Sequence, residues 1–440
     1  MADDRRGRAV PSGRLSRFGS FGRLAGGVAG GMVAEGARRL ASGERPRVSD
    51  MLLTPANATR VADQLSNLRG AAMKLGQMIS MDAGDLLPAE LTQILSRLRD
   101  NAHHMPPQQL DRVLTGEWGR DWRRRFRHFQ AHPIAAASIG QVHRAELPDG
   151  RVLAIKVQYP GVAESIDADV DNVATLLRVS GLLPRELDIA PLLAEAKRQL
   201  HEEADYVRER SMLDRYRSLV DQDPAYVLPA AAPELSTSRV LAMDFIPGER
   251  IETLEDAPQE QRDRAAAALV SLVLRELFEW GVMQTDPNFA NYRWQGDSER
   301  LILLDFGATR QVQPETQQGY HRLLMAALDG DKDRVRQAAV SAGFVGAAAA
   351  ERHHAIVDRM IDVFLAELSR PGPFDFGDRA FVAVLREEAA VMAQDRGTWH
   401  LPPIDTLFVQ RKVSGTALLC ARLKAKVDIR TMIEKFRPAF

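Results

Sequence analysis

Apolar residues recur with two different spacings along this chain, and the spacing predicts which segments are helices and which are strands. Stripes with an apolar residue every three or four positions predict helices over 61–80, 89–99, 106–118, 162–182, 189–221 and 258–280. Shorter apolar runs predict strands over 134–157, 239–246 and 301–304. After Arg310 the pattern is mostly helical, with turns near Gly330, over 371–377 and over 401–403. The sequence therefore predicts a mixed α+β fold with a helical C-terminal part.

The composition excludes several functional classes. The charged side chains nearly cancel, with a net charge of −1, so the charge balance does not indicate nucleic-acid binding. Cys420 is the only cysteine, which excludes an intramolecular disulfide and a cysteine-based zinc site and fits a reducing compartment. With 440 residues the chain is long enough for two or three lobes, and no apolar run reaches the roughly 18 residues of a membrane-spanning helix.

The first 47 residues differ from the rest in charge and composition. They contain ten Arg residues against four acidic residues, and 24–34 is a run of small apolar residues with glycines at four-residue spacing. Arg side chains can meet anionic lipid, and glycines let backbones approach closely. The segment is therefore predicted either to lie on a membrane surface or to be a mobile tail with a helix docked on its own protein, and the sequence does not favour one of the two.

Three oxygen-bearing side chains fall at loop ends beside a predicted buried strand. Asp286 and Asn291 are five residues apart and bracket a tight loop, and Asp305 ends the apolar run 301–304. Hard oxygen ligands at such positions suit Mg²⁺ and a nucleotide polyphosphate. The order Asp, four residues, Asn and then Asp-Phe-Gly is the spacing of the protein-kinase catalytic loop. A second Asp-Phe-Gly at 375–377 has prolines before it and no Asp/Asn pair upstream, so it is interpreted as an unrelated loop.

A glycine-poor version of a phosphate-binding loop precedes a strand that carries a lysine. The pattern Gly-x-Gly-x-x-Gly-x-Val can be laid over 135–142, where Ala135 and Ala137 replace the first two glycines and Gly140 and Val142 fit. Lys156 follows Val142 by fourteen residues, the placement of the lysine that contacts the α- and β-phosphates. Alanine keeps the backbone farther from a ligand than glycine does, so an altered nucleotide preference is predicted, for example ADP over ATP. The candidate nucleotide contacts of this loop are Ala135, Ala136, Ala137, Ser138 and Val142.

Two further parts of a nucleotide site are predicted from neighbouring segments. An active kinase lobe needs a helix carboxylate that pairs with Lys156. The predicted helix 189–221 offers Glu202, Glu203, Asp205 and Glu209. The strand 239–246 stands where a kinase hinge would present backbone N–H and C=O groups to adenine. The candidate hinge residues are Met243, Asp244, Phe245 and Ile246.

Together these motifs resemble the UbiB-type atypical kinase family, also called the aarF-domain kinases, and most of all its mitochondrial-type branch that supports coenzyme Q biosynthesis. The resemblance runs from about residue 14 to the C-terminus. It is carried by Ala-Ala-Met-Lys-Leu-Gly-Gln-Met at 71–78, Ser-Ile-Gly-Gln-Val-His at 138–143, Ile-Lys-Val-Gln-Tyr-Pro-Gly-Val at 155–162, Glu-Ala-Asp-Tyr at 203–206, Gln-Thr-Asp-Pro-Asn at 284–288 and Leu-Asp-Phe-Gly-Ala-Thr-Arg at 304–310.

The resemblance implies a two-lobed protein-kinase-like fold with an all-helical N-terminal extension. Its parts would be a flexible basic segment over 1–47, a helical extension over 48–130, a kinase-like N-lobe with a helical insert over 131–246 and a helical C-lobe over 247–440. Carried over residue by residue, Lys156 would be the nucleotide lysine, Glu209 its helix partner, and Asp286 the catalytic-loop acid. Asn291 and Asp305 would be the metal ligands.

The resemblance also implies a regulatory element. Lys74, Gly76 and Gln77 belong to the family's signature helix, which is thought to lie over the active site where a protein substrate would otherwise enter. Glu203 and Asp205 belong to a Glu-x-Asp pair that meets this helix. A lysine–carboxylate contact in a partly closed cleft is worth more than a surface pair, so it could hold the helix shut.

The function implied by the resemblance is an atypical kinase or ATPase that binds ATP or ADP with Mg²⁺ and supports ubiquinone formation. Its partners would be quinone-biosynthesis proteins or isoprenoid lipid intermediates on an anionic membrane surface, without nucleic acid. It would lie peripherally on the cytoplasmic face of a bacterial membrane or on the matrix face in a mitochondrion, and its oligomeric state, a homodimer included, stays open. The alternatives are a protein kinase acting in trans and a non-catalytic, nucleotide-gated adaptor. Gln-Thr at 284–285 stands where ordinary kinases have His-Arg, so no switch through a phosphorylated activation loop is expected.

Overall fold

The structure is a computed structural model that describes residues 104–137, 139–179, 190–221, 223–395, 400 and 402–439. Within these ranges the chain forms two compact units. Unit 1 comprises the described residues up to Ser211 together with Ala230–Phe245, and unit 2 comprises Met212–Pro229 and the described residues from Ile246 onward. Several predicted features lie outside the described residues, namely the basic segment 1–47, the helices over 61–80 and 89–99, and the residues Lys74, Gly76, Gln77 and Ser138.

The α-helices of the described ranges are, in chain order, α1 (Pro107–Trp118), α2 (Ile166–Val179), α3 (Ala190–Ala204), α4 (Tyr206–Leu219), α5 (Gln259–Arg275), α6 (Pro314–Leu328), α7 (Lys332–Ser341), α8 (Ala347–Arg352), α9 (His354–Leu368), α10 (Ala380–Ala393), α11 (Ile404–Arg422) and α12 (Ile429–Glu434). Short 3₁₀ helices cover Trp122–Arg125, Ala163–Ser165, Ile251–Asp256, Phe289–Asn291 and Arg437–Ala439, and a π-helical turn covers Glu276–Trp280. In the part of the chain that the structure describes, no helix is long and apolar enough to cross a membrane.

The strands of the same ranges are β1 (His128–Phe129), β2 (Ala135–Ala136), β3 (Gly140–Glu146), β4 (Val152–Gln158), β5 (Tyr226–Val227), β6 (Val240–Asp244), β7 (Glu249–Arg250), β8 (Val282–Gln284), β9 (Tyr292–Gln295), β10 (Arg300–Leu303), β11 (Thr309–Gln311), β12 (Phe374–Asp375) and β13 (Lys426–Val427). The structure therefore confirms the predicted mixture of helices and strands.

The sheet of unit 1 is antiparallel and places Lys156 on the face opposite to the hydrophobic core of the unit. The strands lie in the order β1-β3-β4-β6, and β2 also pairs with β3. Side chains alternate across a strand, so Lys156 faces away from its apolar neighbours in β4. The core side chains include Leu153, Ile155 and Val157 of β4 with Trp118, Trp122 and Phe126 of the preceding segment.

Unit 2 is mainly helical and carries small sheets. β5, β10, β9 and β7 form a four-stranded sheet in that order, and β8 pairs with β11. α5 continues through the π-helical turn and ends at Gly281, whose φ of 61° is the left-handed conformation that glycine adopts readily after a helix. The core of the unit is built mainly from α5, the π-helical turn, α6 and α9, and includes Leu277, Phe278, Met325 and Ile361.

Two predictions made from the sequence are wrong in detail. The segment 189–221, predicted as one helix, contains α3 and α4, because Oδ1 of Asp205 accepts a hydrogen bond from the Arg208 amide at 2.9 Å and so caps the start of the second helix. The second Asp-Phe-Gly, predicted as a loop, begins in β12, where Phe374 pairs with Val427. The predicted helix over 258–280 is confirmed as α5 and the π-helical turn.

A buried polar cluster fixes β3 in unit 1. His143 is fully buried, its Nδ1 lies 2.9 Å from the carbonyl oxygen of Gln130, and its Nε2 lies 2.9 Å from Nε2 of Gln141. Because a carbonyl only accepts, Nδ1 carries the proton and Nε2 accepts from the Gln141 amide. Oε1 of Gln141 in turn accepts from the Met105 N–H at 2.7 Å. Burial lowers the pKa of His143 from 6.5 to about 4, against the opposing effect of the hydrogen bond to Gln130.

The neutral state of His143 predicts a loss of stability in mild acid. The unfolded chain binds this proton near pH 6.5 and the folded chain only near about pH 4, so the contribution is complete above pH 6.5 and is lost as the pH falls toward 4. The difference between the unfolded and folded pKa values of His143 corresponds to roughly 3 kcal/mol. The free energy of unfolding is measured with denaturant at neutral pH and at about pH 4.5. It should fall less between the two pH values in His143→Gln than in the wild type. An equal loss in both proteins would contradict the buried neutral histidine.

Candidate functional site

Lys156 and Glu209 form a buried ion pair in unit 1. Nζ of Lys156 lies 2.8 Å from both Oε1 and Oε2 of Glu209, and the two side chains are 8% and 1% exposed. β4 carries the lysine and the first turn of α4 carries the glutamate, so both ends of the pair belong to regular secondary structure. The structure thus brings together two predicted site residues that are 53 positions apart in the chain. A contact of either residue with a nucleotide remains a prediction.

The start of α4 lies very close to β3, the neighbour of the strand that carries the lysine. A Cβ on Gly140 would lie 2.4 Å from the Val157 carbonyl oxygen and 2.8 Å from the Tyr206 hydroxyl, so only glycine allows this approach. The Tyr206 ring lies 5.2 Å from Nζ of Lys156, within the range of a cation–π contact. Gly140, which matches the phosphate-loop pattern, therefore has a packing role that does not depend on a ligand.

The alanine-rich loop is a tight hairpin. Ala135 pairs with Val142 and Ala136 pairs with Gln141, and the Ala137 N–H donates to the Gly140 carbonyl at 2.9 Å. Backbone pairing therefore continues from β2 and β3 to the Ala137 N–H and the Gly140 carbonyl. The two strand alanines are exposed. A contact between this hairpin and a nucleotide remains a prediction.

Two residues of the predicted hinge donate their backbone N–H groups to other backbone of unit 1. Asp244 and Phe245 donate their N–H groups to the carbonyls of Ala230 and Val152, each at 2.9 Å. The N–H groups of Asp244 and Phe245 are therefore already used within unit 1. Met243 lies inside β6, and contacts of the four candidate hinge residues with a nucleotide remain predictions.

In unit 2 the loop that carries Asp286 is closed by hydrogen bonds at both ends. Nδ2 of Asn291 donates to the Asp286 carbonyl at 3.1 Å. The N–H and Oγ1 of Thr285 both donate to the Ala308 carbonyl, at 3.1 and 2.7 Å. The loop is therefore tied to the segment that follows the first Asp-Phe-Gly.

Asp305 lies beside the same loop. The Leu304 N–H donates to the Asn291 carbonyl at 3.1 Å, which places Asn291 next to the residue before Asp305. Oδ1 of Asp305 accepts from the Gly307 N–H at 3.0 Å, which orients the carboxylate. The structure thus brings the predicted catalytic acid and the two predicted metal ligands into one hydrogen-bonded segment of unit 2.

The chemistry of Asn291 and Asp305 fits a magnesium ion shared with a polyphosphate. Because Nδ2 of Asn291 donates to the Asp286 carbonyl, Oδ1 points to the other side of the amide, and an amide oxygen and a carboxylate are both hard donors. Within the described ranges, no group of three or more His, Cys, Asp or Glu side chains could hold a metal ion. Two protein ligands suit Mg²⁺, which keeps water and takes phosphate oxygens for the rest of its shell.

A buried charged cluster beside this loop was missed by sequence reasoning. Lys412 of α11 and Glu276 of the π-helical turn are 1% and 0% exposed, and Nζ lies 3.4 Å from Oε2. Nζ also donates to the Tyr292 hydroxyl at 2.7 Å and to Oε1 of Gln284 at 3.2 Å. The available signal was a Glu and a Lys among several charged residues of two long helical stretches, which is weak because exposed helix faces carry charges too.

The carboxylates predicted to meet the signature helix occupy different environments. Glu203 is buried near the end of α3, whereas Asp205 is exposed and caps α4. The capping role of Asp205 was also missed by sequence reasoning. Contacts of either carboxylate with Lys74 or Gln77 remain predictions, because the signature helix lies outside the described residues.

Comparisons with known proteins agree on the family and the fold. The ABC1 atypical kinase-like domain matches residues 97–339. The chain is 36% identical over 429 residues to the atypical kinase COQ8, mitochondrial, of Saccharomyces cerevisiae, which covers 97% of this chain and 85% of that protein. It is 38% identical over 440 residues to the atypical kinase COQ8B, mitochondrial, of Rattus norvegicus, which covers 99% and 82%. A solved structure of Rv3197 with erythromycin from Mycobacterium tuberculosis matches with a TM-score of 0.60 and 25% identity over 88% of this chain and 96% of that one.

Replacement of Gly140 should destabilise the protein, in contrast to replacement of a glycine with free space around it. In Gly140→Ala the new Cβ would lie 2.4 Å from a backbone oxygen, and overpacking of this kind costs about 1–3 kcal/mol. A Cβ on Gly116, within α1, would meet nothing within 4 Å, so Gly116→Ala should raise stability by about 0.5–1 kcal/mol. Thermal midpoints of the two variants should move in opposite directions. A Gly140→Ala midpoint at or above that of the wild type would contradict the close approach of Val157 and Tyr206 to Gly140.

Proposed function

This chain belongs to the ABC1 atypical kinase-like family, and we propose that it binds a nucleotide with Mg²⁺ and catalyses phosphoryl transfer or ATP hydrolysis in support of isoprenoid quinone biosynthesis at a membrane surface. The observation that carries the proposal is the buried pair of Lys156 and Glu209, with Nζ 2.8 Å from both carboxylate oxygens.

The contribution of this buried pair to stability does not by itself explain why the pair is there. Desolvation of two charges offsets most of their attraction, so a buried ion pair stabilises a fold little more than apolar residues of the same size. Its main effect is to hold the Lys156 ammonium group in one place. In kinases a strand lysine held by a helix glutamate contacts the nucleotide phosphates, and the same use is proposed for Lys156.

The loop of unit 2 supplies the remaining residues of the proposed chemistry. Asp286 would orient the attacking water or hydroxyl, and Asn291 and Asp305 would hold the metal ion. When bound, Mg²⁺ neutralises charge that develops on the phosphate oxygens. The contribution of the chain is position, because Asn291 closes the loop at 3.1 Å and Thr285 ties it to Ala308 at 2.7 Å. Phosphoryl transfer depends mainly on such fixed geometry and on electrostatics.

The biological role is proposed from the relatives. The COQ8 proteins are named for coenzyme Q biosynthesis and as mitochondrial, and this chain is similar to them over nearly its whole length. The proposed partners are quinone-biosynthesis proteins or isoprenoid lipid intermediates. The ten Arg residues among the first 47 support attraction to an anionic membrane surface.

The test of the proposed activity follows the γ-phosphate of ATP with the purified full chain, Mg²⁺ and anionic vesicles. We expect phosphate release that requires Mg²⁺, rises with vesicles and falls by roughly 100-fold or more in Asp286→Asn, because a positioned acid or base contributes about 10²–10⁴-fold. Label on protein or lipid instead would show a kinase and identify its acceptor. Tight nucleotide binding without turnover would overturn the enzyme and favour the nucleotide-gated adaptor.

The two Asp-Phe-Gly copies provide a matched control for the metal ligand. In both, Oδ1 of the aspartate accepts from the N–H of the glycine, at 3.0 Å for Asp305 and 2.8 Å for Asp375. We expect Asp305→Asn to abolish Mg²⁺-dependent nucleotide binding, measured by calorimetry with and without the ion, because the variant loses an anionic ligand. Asp375→Asn should bind as the wild type does. Wild-type affinity in Asp305→Asn would show that Asp305 is not a ligand.

A further inference from the structure

A charged cluster in the interior of unit 2 has no part in the chemistry proposed so far. Nζ of Lys412 lies 3.4 Å from Oε2 of Glu276, 2.7 Å from the Tyr292 hydroxyl and 3.2 Å from Oε1 of Gln284. Burial raises the pKa of Glu276. Burial is the largest single effect on Lys412 and opposes its charge, but the Glu276 carboxylate and the Tyr292 hydroxyl together outweigh it and raise the pKa of the lysine. Lys412 therefore carries its charge in the interior.

Helical elements hold the cluster in place. Lys412 projects from the middle of α11, and Glu276 opens the π-helical turn that follows α5. Oε1 of Glu276 accepts from the Tyr216 hydroxyl at 2.8 Å, and the Tyr216 ring lies 4.9 Å from that of Phe306 in the first Asp-Phe-Gly. π-helical turns are rare and occur frequently at functional sites, so the placement of Glu276 calls for an explanation.

Both members of the ion pair hold Gln284, which lies two residues before Asp286. The backbone N–H of Gln284 donates to Oε1 of Glu276 at 3.1 Å, and its side-chain Oε1 accepts from Lys412 at 3.2 Å. An ammonium group offers only donors, so Lys412 also sets which way the Gln284 amide faces. Gln284 is thus held through its main chain and its side chain at once.

We propose that Lys412, acting through Gln284, is a positioning residue that fixes the loop bearing Asp286. The inference rests on the proposed function, because it assigns an anchor to the loop that would orient the attacking group. Thr285, tied to the Ala308 carbonyl at 2.7 Å, fixes the next position along. The two positions where ordinary kinases have His-Arg are therefore both held by internal hydrogen bonds. A buried charge suits this task, because the loss of any of its partners leaves the ammonium group poorly compensated.

The test compares Lys412→Met and Gln284→Met, which remove the two ends of one contact, with the double variant. Gln284→Met keeps the other contacts of Lys412, so it remains informative if Lys412→Met does not fold. Tyr320→Phe serves as the control for lost stability, because it removes a buried hydrogen bond of 3.3 Å to the Thr406 carbonyl, at the start of the same helix α11, and leaves the contacts of Lys412 and Gln284 in place. Three quantities are measured in the full chain: hydrogen exchange of a peptide over 282–291, the Kd for MgATP, and kcat for ATP turnover.

Each single variant should speed hydrogen exchange in 282–291 and lower kcat by about tenfold, equivalent to ~1.4 kcal/mol, with an unchanged Kd for MgATP. The kcat of the double variant should be no lower than the lower of the two single-variant values, because each substitution removes the same contact. Tyr320→Phe should lower the thermal midpoint without either effect. Wild-type hydrogen exchange in both methionine variants would overturn the inference. So would a double variant whose loss of kcat is the product of the two single losses.

These readouts separate the anchor from the proposed function. If the wild type does not turn over ATP, or if Asp286→Asn keeps full turnover, the proposed function fails, and the exchange of 282–291 still decides whether Lys412 holds the loop. If the wild type turns over ATP while Gln284→Met matches it in exchange and in kcat, only the anchor is wrong.

Discussion

A charge inside a protein is stable only when an opposite charge is held in contact with it, and each unit of this chain is built around one such pair. In unit 1 the Lys156 ammonium group meets both carboxylate oxygens of Glu209 at 2.8 Å. In unit 2 the Lys412 ammonium group lies 3.4 Å from Glu276. In each pair, the two partners come from different secondary-structure elements. Neither partner can move far without leaving a buried charge uncompensated, so the elements within each unit are fixed to one another at that point.

This constraint accounts for the packing around the predicted site residues. In unit 1, Glu209 reaches Lys156 because the start of α4 lies close to β3 and β4. That approach requires glycine at position 140, where a Cβ would lie 2.8 Å from the Tyr206 hydroxyl of α4. In unit 2, Glu276 and Lys412 hold Gln284 at the start of the loop, and Asn291 closes its end on the Asp286 carbonyl at 3.1 Å. The residues proposed to act on a nucleotide are therefore fixed before a ligand arrives, which is what chemistry based on positioning requires.

Sequence reasoning was most successful where residue type and short spacing are enough. It found Asp286 and Asn291 from their spacing of five residues, and Asp305 from its place at the end of an apolar strand. The structure brings these three residues into one hydrogen-bonded segment. The choice of Glu209 needed the family resemblance, because its helical stretch carries several carboxylates and spacing alone does not choose among them. The hydrogen-bond partners of the Asp244 and Phe245 amides could not be predicted, because they lie on neighbouring backbone that apolar patterns do not reveal. The contact between Lys412 and Gln284 joins residues 128 positions apart, and a single lysine in a long helix resembles any solvated helix position.

The two Asp-Phe-Gly copies show how far a motif can determine function. Asp305 and Asp375 make the same local hydrogen bond to their glycines, so the tripeptide sets the local geometry in both places. Their surroundings differ, because Asp305 follows the residue that donates to Asn291, whereas Asp375 belongs to a short strand and pairs at 3.4 Å with the half-exposed Lys426. A carboxylate already paired with a surface lysine is a poorer magnesium ligand than one that lies beside the loop of Asp286 and Asn291. The chemistry of the motif is therefore set by long-range contacts, and the same holds for Gln284, whose position depends on a lysine 128 residues away.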